Sequence, residues 1–300
     1  MLRHDFSGFV TGVLLTLTLA LTAGLLAGAA QPSRTADLTP THDPGREFRF
    51  EVESESVQSS NSPVLPAFEA RQNLTFKVKV VEGDNAGCVV ELIHEHMHIE
   101  VKSESFTGSW DSDQPREDDK DNRLGRISRR LIGTPVRVEL DGTGEIRRIT
   151  GLEQLAPGGL DGVLFRQLFS EDAFTSMYHL IFRIKQPPAE AARGVQWRLL
   201  DKGGQGLVRV AREYHLTLDR IHPDHAHILI KGVVAEEDEG GAPAGMKAES
   251  YELSGWCDWN TELGTLQELE TKEHVVFKAA ANGVDLSLEG TSKTKLKRLP

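Results

Sequence analysis

The alternation of apolar and polar residues with a period of two is the feature that most constrains the fold of this chain. Apolar residues occupy every second position from Phe48 to Val52 and again from Leu74 to Val80. Since the side chains of a strand point to alternate faces, each run predicts a strand with one buried and one wet face. Turn sequences such as Asp141 to Gly144 and Asn282-Gly283 follow strand-like runs, as expected for hairpins. The chain is therefore predicted to be mainly β, with antiparallel strands.

The runs number about a dozen, and a helical segment at about residues 151–186 divides them into two similar halves. An open flat sheet of so many strands would leave long exposed edges, so we expect a strongly curved antiparallel sheet, half-barrel or cup-like. The other predicted strands are Cys88 to Val101, Phe106 to Asp111, Val136 to Leu140, Glu145 to Thr150, Val195 to Trp197, Leu207 to Leu218, Ala226 to Val234, Met246 to Trp256, Thr265 to Lys278 and Val284 to Leu296.

The first residues of the chain are typical of an export signal. No charged residue occurs between Asp5 and Arg34, and the apolar stretch ends in the small residues Ala27-Gly28-Ala29. We predict a signal peptide at 1–29, with an uncleaved anchor as the alternative. Residues 30–46 are then a flexible linker, and residues 47–300 form a single β-rich domain. The expected location is periplasmic or extracellular, with membrane contact only through an uncleaved N-terminal segment.

Charge and cysteine content limit the partners and the covalent links. The formal net charge of −11 disfavours binding to nucleic-acid phosphates, so no nucleic-acid partner is expected. Export would place Cys88 and Cys257 in an oxidising compartment, where one disulfide can form between them. Two buried free thiols are the alternative, since the pairing cannot be deduced from sequence.

The most specific chemical motif is His94-Glu95-His96-Met97-His98. On a regular strand His94, His96 and His98 point to one face, where imidazoles can bind zinc or copper. The alternative is a wet strand face that carries histidine as its polar residue. His225 and His227 repeat the spacing. An acidic run could also hold calcium or form a solvated loop; its members are Asp111, Asp113, Glu117, Asp118, Asp119 and Asp121.

Motifs of common enzyme classes are missing from the sequence. It contains no Gly-x-Ser-x-Gly elbow, no Gly-Lys-Ser or Gly-Lys-Thr phosphate loop and no His-Glu-x-x-His helix. We therefore predict no catalytic residue and favour a role other than catalysis. No cofactor is expected apart from zinc or copper at the histidines.

A set of turn glycines and nearby residues resembles a family of uncharacterised exported bacterial proteins, known only as a domain of unknown function. The similarity covers roughly residues 46–298 and implies architecture without any activity or site residues. Its motifs are Gly133-Thr-Pro-Val136, Leu140-Asp-Gly-Thr-Gly-Glu-Ile146, Gly151-Leu152, Leu168-Phe169-Ser170, Pro187-Pro188, Gly194 with Trp197, and Gly255 with Asp258 and Gly264.

Three functions are compatible with these features. The first is a cell-envelope protein that binds or carries an apolar small molecule or lipid in the β cup. The second is a structural or interaction module with a packed core, whose partner is another envelope protein. The third is a histidine-based metal binder.

Overall fold

A computed structural model describes residues 35–300 apart from 42, 62–66, 85, 105, 183–189, 202–211, 236–246 and 282–283. Several predictions fall outside the described residues, namely the signal peptide 1–29, Pro187-Pro188, the strand starts at Leu207 and Met246, and the Asn282-Gly283 turn. Of two compact units, Ala36–Pro300 contains the sheet and the helices, and Met1–Thr35 is described only at Thr35. No helix among the described residues is long and apolar enough to cross a membrane.

Strands dominate the described residues, as the alternation predicts. The strands are β1 Thr35–Asp37, β2 Glu47–Ser60, β3 Phe68–Asp84, β4 Gly87–Ser103, β5 Thr107–Asp111, β6 Pro135–Asp141, β7 Ile146–Thr150, β8 Glu190–Ala192, β9 Gln196–Asp201, β10 Arg212–Ile221, β11 His225–Val234, β12 Lys247–Asn260, β13 Thr265–Ala281 and β14 Val284–Leu299. The helices are α1 Arg123–Ser128, α2 Leu152–Leu155, α3 Gly159–Leu168 and α4 Glu171–Phe182, with 3₁₀ turns at Arg116–Lys120 and Arg129–Leu131.

Twelve strands form one antiparallel sheet in the order β7-β6-β4-β3-β2-β14-β13-β12-β11-β10-β9, with β5 added beside β4. The two halves of the chain meet where β2 pairs with β14. The mainly β fold with a large antiparallel sheet is confirmed, and so is the helical segment between the halves. The sheet is not closed, because β7 and β9 remain as its two ends.

Two adjacent residues of α4 show how strongly the sheet curves. The hydroxyl of Tyr178 lies 2.7 Å from Nε2 of His94 on β4, and the ring of His179 lies 5.4 Å from that of Tyr214 on β10. Strands β4 and β10 are seven spacings apart in the sheet, which would be about 34 Å on a flat surface. The sheet therefore curls around α4. We call the face against α4 the inner face and the opposite face the outer face.

The helical segment connects the two end strands of the open sheet. It leaves β7 at Gly151, whose φ of 102° suits glycine, and the chain returns to the sheet at β9. Helix α4 buries Phe174, Tyr178 and Ile181 against the inner face, as its apolar stripe predicts. The helices thus cover the apolar inner face between the two ends of the sheet.

Part of the predicted linker is ordered. Residues 35–37 form β1, which pairs with β8, and Ala36 and Leu38 are buried. The backbone N–H of Thr41 also donates to the carbonyl oxygen of Gly264 at 3.1 Å. A run this short carries no periodic signal, so the sequence pattern did not show it.

The structure shows no bond between Cys88 and Cys257, and both side chains are buried. Cys88 lies on β4 and Cys257 on β12, and four strands separate these two strands in the sheet. A bridge requires Cα atoms within about 7 Å. Neighbouring strands bring Cα atoms this close, but β4 and β12 are not neighbours.

Both thiols are expected to be unreactive in the folded protein. Burial raises the pKa of Cys88 to about 12, and burial together with the charge of Asp258 raises that of Cys257. Since the thiolate is the reacting form, a disulfide-exchange reagent should label neither residue in the native protein and both in denaturant. An intact mass lower by two hydrogen atoms, with no labelling in denaturant, would contradict this expectation.

Candidate functional site

The inner face is the predicted site for an apolar ligand, and it is filled by the protein's own side chains. A cavity between α4 and the sheet, lined by described residues, has a volume of about 30 Å³; Phe50, Val90, Leu140, Ile181 and Trp259 are among its lining residues. This volume has room for one or two water molecules. The sheet is curved as predicted, and α4 lies inside the curve.

A polar pair, His94 and Tyr178, lies within this interior. His94 is 2% exposed, and its ring lies about 6 Å from those of Phe76, Phe174 and Tyr178. Among the described residues Nδ1 of His94 has no hydrogen-bond partner, while Nε2 lies 2.7 Å from the Tyr178 hydroxyl. Burial lowers the pKa of His94 to about 4 and raises that of Tyr178, so both side chains are neutral at pH 7.

A β-bulge separates His94 from the other two histidines of the motif, so the prediction that all three share a face is wrong. Thr75 pairs with His96 and Phe76 pairs with His94, which leaves Glu95 without an opposite residue. One extra residue reverses the alternation of the strand. The buried residues of β4 therefore have even numbers from Cys88 to His94, whereas the buried residue beyond the bulge, Met97, has an odd number.

The outer face carries His96 and His98 beside a carboxylate that the histidine motif alone does not predict. Asp111 on β5 pairs directly with His98. Its Oδ1 lies 3.2 Å from Nε2 of His96 and its Oδ2 lies 3.1 Å from Nδ1 of His98. Asp113 follows, with Oδ2 3.7 Å from Nε2 of His96. The histidine motif and the start of the acidic run thus meet in one cluster.

Hydrogen bonds and nearby charges shift the pKa values of His98 and Asp111 in this cluster. Burial alone would lower the pKa of His98, but its hydrogen bonds to the carboxylates of Glu100 and Asp111, together with their charges, raise it overall. For Asp111, burial alone would raise the pKa, but the backbone N–H of Asp113 and the imidazoles of His98 and His96 lower it overall. Asp111 is therefore a carboxylate at neutral pH.

The rest of the acidic run does not converge on one point. Asp119 is buried and accepts hydrogen bonds from Nε and Nη2 of Arg129 at 2.7 and 3.2 Å and from Nε1 of Trp110 at 2.9 Å. We call these three residues the Asp119 clasp. Asp118 and Asp121 are exposed. The clasp is structural, so the run as a whole is not a calcium loop.

The two histidines of the second pair, His225 and His227, contact different aspartates. Nδ1 of His227 lies 2.7 Å from Oδ1 of Asp258, whereas Nδ1 of His225 lies 2.9 Å from Oδ1 of the neighbouring Asp224. Within the described part of the chain, His96, Asp111 and Asp113 are the group of three whose ligand atoms could hold one metal ion.

The solved structures give a weak likeness. A structure of lipovitellin, reported for its lipid–protein interactions, aligns with a TM-score of 0.49 and 10% identity, over 87% of this chain and 26% of that chain. The present chain thus spans about a quarter of the length of that protein. A search of curated proteins finds no match.

The sequence profile of a family supports the resemblance predicted from the turn motifs. It matches residues 89–265, which is more than half of the chain and includes the histidine motif, the acidic run and the helical segment. No activity is attached to this family. The chain belongs to DUF6263, a family of unknown function.

Proposed function

We propose that this chain is an exported cell-envelope protein that binds an apolar ligand on the inner face of its sheet. In this proposal α3 and α4 are a cover that moves away when the ligand enters. The apolar N-terminal stretch with its small-residue end supports export. The location is periplasmic or extracellular, and the ligand is a lipid or another molecule with a long apolar part.

The observation that carries the proposal is how the cover is connected. Helices α2 to α4 lie in the segment that joins β7 to β9, the two end strands of the open sheet. The described strands of the large sheet hydrogen-bond to one another, and the helices take no part in this pairing. A movement of the helices therefore breaks none of the hydrogen bonds of the sheet. What such a movement exposes is the apolar inner face, which a ligand can cover instead.

The pair of His94 and Tyr178 indicates a ligand with a polar group. Moving α4 takes the Tyr178 hydroxyl away from Nε2 of His94. The imidazole then needs a new hydrogen-bond partner, because an unpaired polar group in an apolar site costs about 1–3 kcal/mol. A carboxyl or hydroxyl head group supplies one, while the apolar chain of the ligand takes the place of the Tyr178 ring beside Phe76. A long-chain fatty acid has this composition.

The small internal cavity favours a second candidate function. The cavity that the described residues line beside α4 has a volume of only about 30 Å³, as is typical of the packed core of a structural or interaction module. In that case the helices are a permanent part of the core and the partner is another envelope protein. The two candidates differ in whether α4 leaves the sheet without unfolding of the whole domain.

Ligand titration and hydrogen exchange distinguish the two candidates. If α4 is a cover, oleate should bind with a stoichiometry of one. The amide hydrogens of α4 should also exchange with a lower free energy of opening than those of β3 and β14. Phe174→Ala removes a buried contact of the cover and should tighten oleate binding by roughly tenfold, because less free energy is needed to open the site. Binding is measured by native mass spectrometry and by displacement of a fluorescent naphthylamine probe.

A matched variant controls for general effects of truncation. Val57 is 50% exposed on β2, so Val57→Ala should leave oleate affinity unchanged. Lack of saturable binding, together with exchange of α4 only through global unfolding, would reject the carrier and leave the packed module.

A further inference from the structure

We propose that His96, Asp111 and Asp113 form a binding site for a divalent transition metal on the outer face of the sheet, with Zn²⁺ as the best fit. The site is independent of the proposed apolar ligand, which would lie on the inner face. It also differs from the three-histidine site predicted from the sequence, since His94 is buried on the inner face.

The spacing of the ligand atoms suits a tetrahedral ion. One atom each from His96, Asp111 and Asp113 lie within 4.8 Å of one another, and the two distances from Nε2 of His96 are 3.2 and 3.7 Å. Metal–ligand bonds of about 2.0–2.2 Å in a tetrahedron require ligands roughly 3.3–3.6 Å apart. Both distances from His96 are thus close to those of a tetrahedral site, and the two carboxylates lie near enough for side-chain adjustment to bring them to one ion.

His98 acts as a positioning residue for Asp111. Its Nδ1 lies 3.1 Å from Oδ2 of that carboxylate, while Oδ1 faces His96. Nε2 of His98 is in turn 3.2 Å from Oε1 of Glu100. Such an outer hydrogen bond fixes the orientation of a metal-binding carboxylate. The cluster thus has both ligands and a support for one of them.

The loop that carries Asp113 is held in place from inside the protein. Arg129 donates from Nη1 to the carbonyl oxygen of Ser112 and from Nη2 to that of Gln114 at 2.8 Å. The Ser112 hydroxyl accepts from the backbone N–H of Met97 at 3.0 Å. Asp113 lies between these two anchored residues, so its carboxylate is kept beside β4 although the side chain is 83% exposed.

The arrangement leaves room for solvent or a further ligand on the metal. Three protein ligands leave one tetrahedral position for water. His98 and Glu100 also line a polar groove of about 410 Å³ on the outer face, together with Asn73, Glu53 and Lys295 among others. The Asp113 side chain is itself 83% exposed, so a metal here is reachable from solution, as an exchangeable site requires.

Ligand chemistry selects the class of ion. An imidazole nitrogen with two carboxylates suits zinc and related first-row metals, whereas calcium prefers six to eight oxygen ligands. Imidazole and carboxylate ligands bind a metal in their deprotonated forms, so protons compete with the metal and its affinity should fall as the pH is lowered.

Zinc titration of the exported chain, purified without a polyhistidine tag and treated with a chelator, tests the site. We expect one Zn²⁺ per chain by calorimetry and native mass spectrometry. Asp113→Asn changes an exposed side chain, so the fold is kept, and it should weaken binding by at least tenfold. His96→Gln should do the same. His98→Ala should weaken binding by about 10–100-fold, as the loss of a supporting partner does.

His227→Ala is the matched control, because His227 is also an outer-face histidine paired with an aspartate and should leave zinc affinity unchanged. X-ray absorption should show one imidazole nitrogen and oxygen ligands at about 2.0–2.2 Å and no sulfur. Failure of the parent to bind zinc stoichiometrically, or equal binding by the parent, Asp113→Asn and His96→Gln, would overturn the proposal. A variant that keeps zinc binding but loses oleate binding, or the reverse, would show that this site is separate from the proposed apolar site.

Discussion

Replacement of Arg129 by methionine is expected to lower the free energy of unfolding by about 3–5 kcal/mol. The variant leaves the carboxylate of Asp119 buried without its cation. The side chains of Arg129 and Asp119 are only 15% and 11% exposed, so water compensates only partly for the lost partner. The carbonyl oxygens of Ser112 and Gln114 lose their donors as well. Urea unfolding followed by circular dichroism measures the change.

The size of this effect follows from how closely the clasp is packed. The Arg129 guanidinium lies 5.0 Å from the centre of the Trp110 ring, and Trp110 is fully buried. A Cβ atom on Gly125 would lie 2.6 Å from Oδ1 of Asp119, so α1 can pack here only with glycine at this position. The hydrogen bonds of Arg129 hold the pKa of Asp119 below its usual range, and the carboxylate remains charged at neutral pH.

Asp118→Ala provides the matched control in the same loop. Asp118 belongs to the same acidic run but is exposed, and its removal should change the free energy of unfolding by less than about 0.5 kcal/mol. Equal effects of Arg129→Met and Asp118→Ala would show that the clasp does not stabilise the loop. Arg129→Met should also weaken zinc binding, since it releases the carbonyls on either side of Asp113.

The strand pattern was predictable because burial on one face imposes a period of two along each strand. The run from Leu74 to Val80 lies within β3, and its apolar residues are all buried. The helical segment was predictable for a similar reason, since Phe174, Tyr178 and Ile181 form one stripe at helical spacing. Both signals are local, and each depends only on which face of the element meets the core.

The candidate metal site was only partly predictable, because it depends on two facts that alternation does not contain. The bulge at Glu95 adds one residue to β4 and sends His94 and His96 to opposite faces. The approach of Asp111 to His98 depends on the pairing of β4 with β5. The strands predicted at Cys88 to Val101 and Phe106 to Asp111 follow one another closely, and pairing them as an antiparallel hairpin could have suggested the contact.

Acidification from pH 6.5 to about pH 4 is expected to destabilise the protein through His94. The pKa of this imidazole is about 4 in the folded protein against an ordinary value of 6.5. Between these values the unfolded chain binds more protons at His94 than the folded chain does, so the free energy of unfolding falls as the pH falls. A difference of this size corresponds to about 3 kcal/mol over the whole window.

The double variant His94→Leu, Tyr178→Phe isolates this contribution. It removes the titrating group and its hydroxyl partner together and keeps similar volumes, so at pH 7 its stability should be close to or above that of the parent. Other groups titrate in the same window; His98, for example, has a raised pKa and acts in the opposite direction. They are present in both proteins and cancel in the difference.

Urea titrations of both proteins at intervals from pH 7.5 to pH 4 measure that difference directly. The parent should lose about 3 kcal/mol relative to the double variant as the pH falls through the window. Parallel curves would show that His94 is reached by water in the folded state, because a hydrated imidazole keeps its ordinary pKa. Since His94 lies beneath α4, that result would mean that the cover opens readily at equilibrium, which the proposed binding function requires only in the presence of ligand.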